Sequence, residues 1–133
     1  MNPVVHFEMP AKDRKRMSDF YTNTFGWKTQ QFGEDMGNYV LVETAESDGN
    51  GRPKQGINGG FYQRTEDPVS HAPSVVIGVE NIQDHLKKVT AAGGKIIGEP
   101  MEIPGVGQWV SFFDTEGNRV SMLQPNPRNP NGQ

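Results

Sequence analysis

An internal repeat is the feature that most constrains what this chain can fold into. Residues 74–96, SVVIGVENIQDHLKKVTAAGGKI, repeat the pattern that opens the chain: an apolar run, a polar turn, an amphipathic helix, a glycine and another β-type run. Aligning the two copies places His6 on Ser74 and Gly26 on Gly94. The repeat length is about half the chain, so it indicates a duplicated supersecondary unit rather than a short-period solenoid.

The first copy is typical of a strand followed by a helix. Residues 4–9 favour a strand, which Pro10 ends, and Asp13 is predicted to cap the helix that follows. Gly26 suits the left-handed position beyond the helix end. Between them, one apolar stripe has the spacing of a helix face: Met17, Phe20, Tyr21 and Phe25.

The second copy has the same signals. Asn81 is predicted to cap its helix, and Gly93 and Gly94 to end it. Short β-type runs follow each helix: residues 27–32, 39–43 and 57–63 in the first copy, and 95–97, 108–113 and 119–123 in the second. The turn DTEGN joins the last two runs as a hairpin.

These elements predict an α+β fold of two βαβββ modules, at about residues 1–66 and 70–125. No linker is long enough to separate them, so residues 1–125 are expected to be a single domain. Residues 126–133 are rich in Pro and Asn without apolar periodicity, and are expected to be a flexible tail.

Composition narrows the possible partners. The chain has a net charge of −3 with both signs interspersed, which argues against nucleic acid or an anionic membrane as partner. It has no cysteine, which excludes disulfides and Cys-based zinc sites. No stretch approaches the length of apolar residues that spans a membrane, and no signal peptide is evident. A cytoplasmic protein is the simplest expectation.

Two quoted stretches resemble the vicinal oxygen chelate superfamily, which contains glyoxalase I, extradiol dioxygenases and bleomycin-resistance proteins. HFEMPAKDRKRMSDFYTNTFGWK resembles its opening strand and helix, and FFDTEGNRVSMLQP its closing hairpin, with Thr115 where proline is usual. The resemblance covers residues 4–125 and is nearest to a small bacterial branch related to lactoylglutathione lyase. It implies two βαβββ modules whose sheets form a funnel for ligands.

The resemblance also implies four strand positions that supply His and Glu metal ligands in metal-dependent members. His6 occupies the first position, Ser74 its counterpart in the second module, and Ser121 the closing-strand position. The fourth falls within residues 58–61, NGGF, which offer neither His nor Glu. Because two serines are weak ligands at best, we expect no bound divalent metal and no other cofactor.

Strand alternation places His6 and Glu8 on one face, which we expect to line the funnel. By the same parity Ser74, Arg119 and Ser121 join them as ligand-binding candidates. His6, with a pKa near its ordinary value of about 6.5, and Glu8 are candidates for catalytic acid–base work. They can instead serve ligand recognition, or form a hydrogen-bonded set that only closes the sheet.

The aromatic candidates for stacking on a ligand are Trp109 and, from the last strand of the first module, Phe61 or Tyr62; core or dimer contacts are the favoured alternative. Trp27 is expected to pack in the core. The loop at residues 103–108, IPGVGQ, fits either a mobile lid or an ordinary strand connection.

Two functions remain open. The first is a metal-independent protein that binds a small organic molecule, as bleomycin-resistance proteins do. The second is a lyase- or isomerase-like, or dioxygenase-like, enzyme of the same fold that uses His6 and Glu8 or a non-standard metal site. A structural or regulatory dimer without a ligand is a third possibility. By family analogy a homodimer is expected.

Overall fold

The computed structural model describes residues 1–127, so most of the predicted tail at 126–133 lies outside the described residues. Within this range the elements follow the order β1 (Val4–Ala11), α1 (Arg14–Phe25), β2 (Lys28–Gln31), β3 (Val40–Glu43), β4 (Asn58–Gln63), β5 (Ser74–Gly78), α2 (Ile82–Ala91), β6 (Lys95–Ile103), β7 (Gly107–Phe113) and β8 (Arg119–Pro125). Short 3-10 turns lie at Glu34–Met36 and Pro68–Ser70. The βαβββ order predicted for each copy is confirmed.

The chain divides into two compact units, which we call the first unit and the second unit. The first unit is Val5–Val75, and the second is Met1–Val4 together with the chain from Val76 onward. The second unit holds the chain start through a hydrogen bond of 2.8 Å that the Gly78 N–H donates to the Pro3 carbonyl.

The two units have the same strand connectivity. In the first unit the order is β2-β3-β4-β1, and in the second it is β6-β7-β8-β5. The first strand of each copy runs parallel to the last one, and the other neighbouring pairs are antiparallel. A parallel pair needs a crossover connection, and the helix of each copy forms part of it. The repeat seen in the sequence is therefore a repeat of topology.

Side-chain caps begin both helices as predicted. The Asp13 carboxylate accepts a hydrogen bond of 3.0 Å from the Arg16 N–H, and the Asn81 side chain accepts one of the same length from the Asp84 N–H. These bonds satisfy backbone donors that the first turn of a helix leaves unpaired. Gly26 ends α1 at φ 75°, in the left-handed region that favours glycine.

The apolar stripe predicted on α1 is only partly buried. Met17 and Tyr21 pack against the core of the first unit, which contains Val40, Val42 and Phe61. Phe20 and Phe25, from the same predicted stripe, are 55% and 61% exposed. The stripe therefore has the predicted helical spacing, but only Met17 and Tyr21 of its four residues pack against this core.

Each unit has its own apolar core. In the second unit Val79, Ile82, Val110 and Met122 form the buried cluster. In the first unit Trp27 packs on the core and stacks on Tyr21 with ring centroids 4.6 Å apart, as expected of a packing residue. Among the described residues, neither helix has the length or apolar character needed to cross a membrane.

The loop at residues 103–108 is a tight hairpin turn. The Val106 N–H donates a hydrogen bond of 3.0 Å to the Ile103 carbonyl, and Ile103 pairs with Gly107 in the β6–β7 register. Of the two interpretations of this loop, the ordinary strand connection is confirmed.

Candidate functional site

Strand β1 presents different side chains to its two faces. Phe7 and Met9 pack against the core of the first unit. His6 and Glu8 alternate with them and lie on the opposite face, as the period of two requires. Glu8 is only 9% exposed and His6 is half-buried, so this face carries polar groups that are largely withdrawn from water.

A tyrosine meets His6 on this face. The His6 Nε2 atom and the Tyr39 hydroxyl lie 3.0 Å apart, which is a hydrogen-bonding distance, although the residues are 33 positions apart in sequence. Tyr39 precedes β3 and Asn58 lies opposite His6 in the β1–β4 register. The tautomer of the imidazole decides which of the two groups donates.

Burial keeps both members of this pair uncharged at neutral pH. Desolvation lowers the pKa of His6 from 6.5 to about 4, so the ordinary value assumed from the sequence is wrong. Desolvation raises the pKa of Tyr39 well above its ordinary value, and the charge of Glu8 raises it further. An imidazole and a phenol, both neutral, therefore share one hydrogen bond beside a buried carboxyl group.

Two glycines make room for aromatic rings in this part of the sheet. A Cβ atom on Gly59 would overlap the ring of Phe7, and one on Gly60 would overlap the hydroxyl and ring of Tyr39. Gly60 lies opposite Glu8 in the β1–β4 register. The phenol ring of Tyr39 therefore lies directly over Gly60, with its hydroxyl at the His6 imidazole.

Tyr39 was not predicted from the sequence to be a site residue. The available signal was the Gly59-Gly60 pair inside a strand, because an interior glycine often marks the close approach of another group. That signal indicates that another group lies against the strand but does not identify it, since Tyr39 lies about twenty residues earlier in the sequence.

Ser74 also lies in the first unit and is 9% exposed. Its Oγ atom is buried and has no hydrogen-bond partner among the described residues. A buried hydroxyl without a partner costs free energy, so Ser74 is a polar group that a ligand or a water molecule can satisfy.

Three further candidates lie in the second unit. Ser121 is fully buried, and its hydroxyl lies 2.8 Å from that of Ser111, directly across the β7–β8 register. Trp109 is half-buried in β7, and Arg119 is half-buried at the start of β8. Ser121 therefore belongs to a closed hydroxyl pair within its own unit.

Phe61 is not a ligand-stacking residue. It is 0% exposed and belongs to the core of the first unit with Val40 and Val42. In the register it pairs with Met9, and so points to the opposite face from His6 and Glu8. Its assignment as a ligand-binding residue is wrong, and the alternative of a core contact is confirmed.

The metal positions implied by the family do not fit a divalent ion. The register fixes the fourth position: Gly60 lies opposite Glu8 as Ser121 lies opposite Val76, and glycine has no donor side chain. His6 Nε2 is already in contact with Tyr39, and the Ser121 hydroxyl with Ser111. Within the described residues, no three His or carboxylate side chains are arranged to hold a metal ion. One imidazole and two hydroxyls do not match the His and carboxylate sets of such sites.

The other two histidines lie elsewhere. His71 contacts the Thr65 carbonyl through Nε2 at 2.8 Å, in a surface loop. His85 is on α2, with Nδ1 at 3.3 Å from the carbonyl of the capping Asn81. Their contacts are local, so His6 is the histidine of the candidate site.

An apolar groove lies on the other face of β1. It has a volume of about 310 Å³ and is lined by Phe7, Met9, Trp27, Pro73, Ser74 and Val75. It includes neither His6 nor Glu8, so the polar residues and this apolar surface are separate features of the first unit.

The chain belongs to the Glyoxalase/Bleomycin resistance protein/Dioxygenase superfamily, whose family model matches residues 4–122. A glyoxylase-like domain-containing protein of Didymella fabae is 30% identical over 112 residues, with 84% of each protein covered. The putative glyoxylase CFP32 of Mycobacterium bovis is 35% identical over 66 residues, which cover 47% of this chain and 25% of that protein.

Solved structures show the same fold at low sequence identity. The hypothetical protein BH1468 of Bacillus halodurans matches with a TM-score of 0.71 at 15% identity, covering 96% of this chain and 97% of that one. Methylmalonyl-CoA epimerase of Mycobacterium tuberculosis matches with a TM-score of 0.69 at 11% identity, covering 93% and 88%. These likenesses confirm the superfamily fold.

Proposed function

We propose that this protein binds a small organic molecule, without a metal ion, on the face of the first unit that carries His6, Glu8 and Tyr39. The observation that carries the proposal is the His6–Tyr39 hydrogen bond at 3.0 Å, next to a carboxyl group that is only 9% exposed. Ligand sites typically contain a few precisely placed polar groups, and this face carries three: an imidazole, a phenol and a carboxyl group.

The hydrogen bond supports recognition because it fixes the direction of both side chains. Each ring has few torsions to lose, and mutual contact restricts them further. A site whose polar groups are held before the ligand arrives loses less conformational entropy on binding. The buried Ser74 hydroxyl has no partner in the described part of the chain, but it lines the apolar groove on the other face of β1 and is not part of this polar set.

The size of the His6 pKa shift favours binding over proton abstraction. With a pKa of about 4, charging His6 at pH 7 costs about 4 kcal/mol, against less than about 1 kcal/mol for an ordinary histidine. A general base works best when its pKa lies near the working pH. His6 is therefore a better hydrogen-bonding partner than a proton acceptor.

The second candidate is a metal-free isomerase- or lyase-like enzyme. The specific observation in its favour is that Glu8 is close enough for its charge to act on Tyr39, so a carboxyl group and a phenol can share acid and base roles. Structural relatives named methylmalonyl-CoA epimerase add to this candidate, because epimerisation requires that a proton be removed and returned. Turnover by the wild-type protein that Glu8→Gln abolishes would favour this candidate.

A thermal-shift panel of uncharged aromatic alcohols, aromatic amides and glutathione adducts tests the binding proposal. A compound at 100 times its Kd should add about 2.7 kcal/mol to the free energy of unfolding. We expect His6→Gln to lose most of this gain and His85→Gln, a histidine change on α2, to keep it. The proposal fails if no compound stabilises the wild-type protein, or if His6→Gln retains the full gain.

Metal analysis of the purified protein tests the metal-free part separately. We expect less than stoichiometric nickel, zinc and iron, with no change on replacing His6 by alanine. A near-stoichiometric metal that His6→Ala removes would contradict this part of the proposal.

A further inference from the structure

Tyr39 reaches the candidate site only because position 60 is glycine. Gly60 lies between Glu8 on β1 and Leu41 on β3 in the sheet register, on the face that carries His6. Any side chain at this position would occupy the space of the Tyr39 hydroxyl and part of its ring. Gly60 has an ordinary backbone conformation, since its φ is not positive, so the turn geometry does not require glycine here. Glycine is required at this position by the close approach of the Tyr39 phenol.

The equivalent place in the second unit is filled differently. Ser121 lies opposite Val76 there, as Gly60 lies opposite Glu8 in the first unit. The Ser121 hydroxyl is buried and paired with Ser111 at 2.8 Å. In the second unit the buried hydroxyl therefore contacts a neighbouring hydroxyl. In the first unit the phenol of Tyr39, from the residue before β3, contacts the half-buried His6 instead.

We propose that Tyr39 is a recognition residue of this site, that Gly60 is its positioning residue, and that the group Tyr39 contacts is a hydroxyl on an uncharged ligand. This inference rests on the proposed binding function and names the ligand class of the same site. The Tyr39 hydroxyl forms one hydrogen bond with His6, either as donor or as acceptor. A phenolic hydroxyl can both donate and accept, so capacity for a second partner remains.

A ligand hydroxyl suits the pair in either tautomer. When the Tyr39 hydroxyl donates to His6, its oxygen is left as an acceptor; when the imidazole donates, the Tyr39 proton is left as a donor. A hydroxyl can take either role, whereas a carbonyl can only accept. The uncharged state of imidazole and phenol at pH 7 fits an uncharged partner.

Two probes that differ by one hydroxyl test the inference: 4-methylphenol and toluene, each titrated into the protein and followed by amide resonances. We expect 4-methylphenol to bind about fivefold tighter than toluene, as for one neutral hydrogen bond. Tyr39→Phe should remove that preference. The matched control is Tyr21→Phe, which deletes a phenolic hydroxyl on the core side of the same unit and should keep the preference.

The role of Gly60 has a readout that needs no probe. The nitrogen shifts of the His6 ring report its hydrogen bond, and we expect Gly60→Ala and Tyr39→Phe to move them in the same direction. If Gly60→Ala fails to fold, Tyr39→Phe alone decides through the hydroxyl preference. Unchanged His6 nitrogen shifts in a folded Gly60→Ala protein would refute the positioning role.

Failure of this inference is distinguishable from failure of the binding function. Equal binding of the two probes, no binding of either, or a preference that survives in Tyr39→Phe would overturn the inference. If other members of the thermal-shift panel still stabilise the protein through His6, the binding function stands. If no compound of the panel stabilises the protein, the binding function and this inference are both refuted.

Discussion

Lowering the pH should destabilise this protein through one identifiable histidine. The pKa of His6 is about 4 in the folded chain and 6.5 in the unfolded one. Between these values the unfolded state binds the extra proton, so the free energy of unfolding falls as the pH falls. Above pH 6.5 neither state is protonated and the term vanishes. Below pH 4 both are protonated and the loss no longer grows.

The magnitude follows from the shift. Full protonation would cost about 3 kcal/mol, and by pH 4.5 the loss should reach about 2.5 kcal/mol. This loss is a large part of the free energy of unfolding of a typical protein, which is about 5–15 kcal/mol. Carboxylates also titrate near this range, so the prediction concerns the difference between the wild type and a variant that lacks the imidazole.

The assay is urea unfolding at pH 7 and pH 4.5, followed by tryptophan fluorescence, since Trp27 stacks on Tyr21 in the core of the first unit. His6→Gln retains a hydrogen-bonding side chain for Tyr39 but cannot titrate. We expect it to lose about 2.5 kcal/mol less than wild type between these pH values. Equal losses, or a His6 resonance that titrates near pH 6.5, would show that this site is more open to water than the geometry indicates.

Two further predictions concern packing and buried hydroxyls. Gly59→Ala should lower the free energy of unfolding by about 1–3 kcal/mol in urea unfolding, because the new Cβ overlaps the ring of Phe7. The control is Gly49→Ala, whose Cβ meets open space and which should change the free energy of unfolding by less than about 1 kcal/mol. Similar values for the two variants would refute the overlap. Ser121→Ala should lower the free energy of unfolding by about 1–3 kcal/mol, because it leaves the Ser111 hydroxyl buried and unpaired. Replacing both Ser111 and Ser121 by alanine should lower it by less than the sum of the two single changes. Additive losses would contradict the pairing at 2.8 Å.

Much of the fold could be predicted from the sequence because its signals are local. Helix caps such as Asp13 and Asn81 act within three residues, and the strand period of two alone placed Glu8 on the face opposite Phe7. The internal repeat then predicted the order of elements in the second copy from that in the first. The local pattern does not specify which members of an apolar stripe are buried, since Phe20 is 55% exposed.

The candidate site was predicted less completely, because its contacts cross between strands. His6 and Glu8 share a strand, so their common face follows from alternation. Phe61 was named as a stacking candidate, but its direction depends on its pairing with Met9, and strand register cannot be counted from sequence spacing.

By itself, then, the sequence determined a duplicated α+β chain with a histidine and a carboxyl group on one face, because periodicity and capping operate within a few residues. Only the tertiary structure decided what His6 meets. The β1–β4–β3 register brings Tyr39 across Gly60 to a residue 33 positions away, and burial there shifts the pKa of the histidine to about 4. Register and burial are properties of strands packed together, so no single strand encodes them.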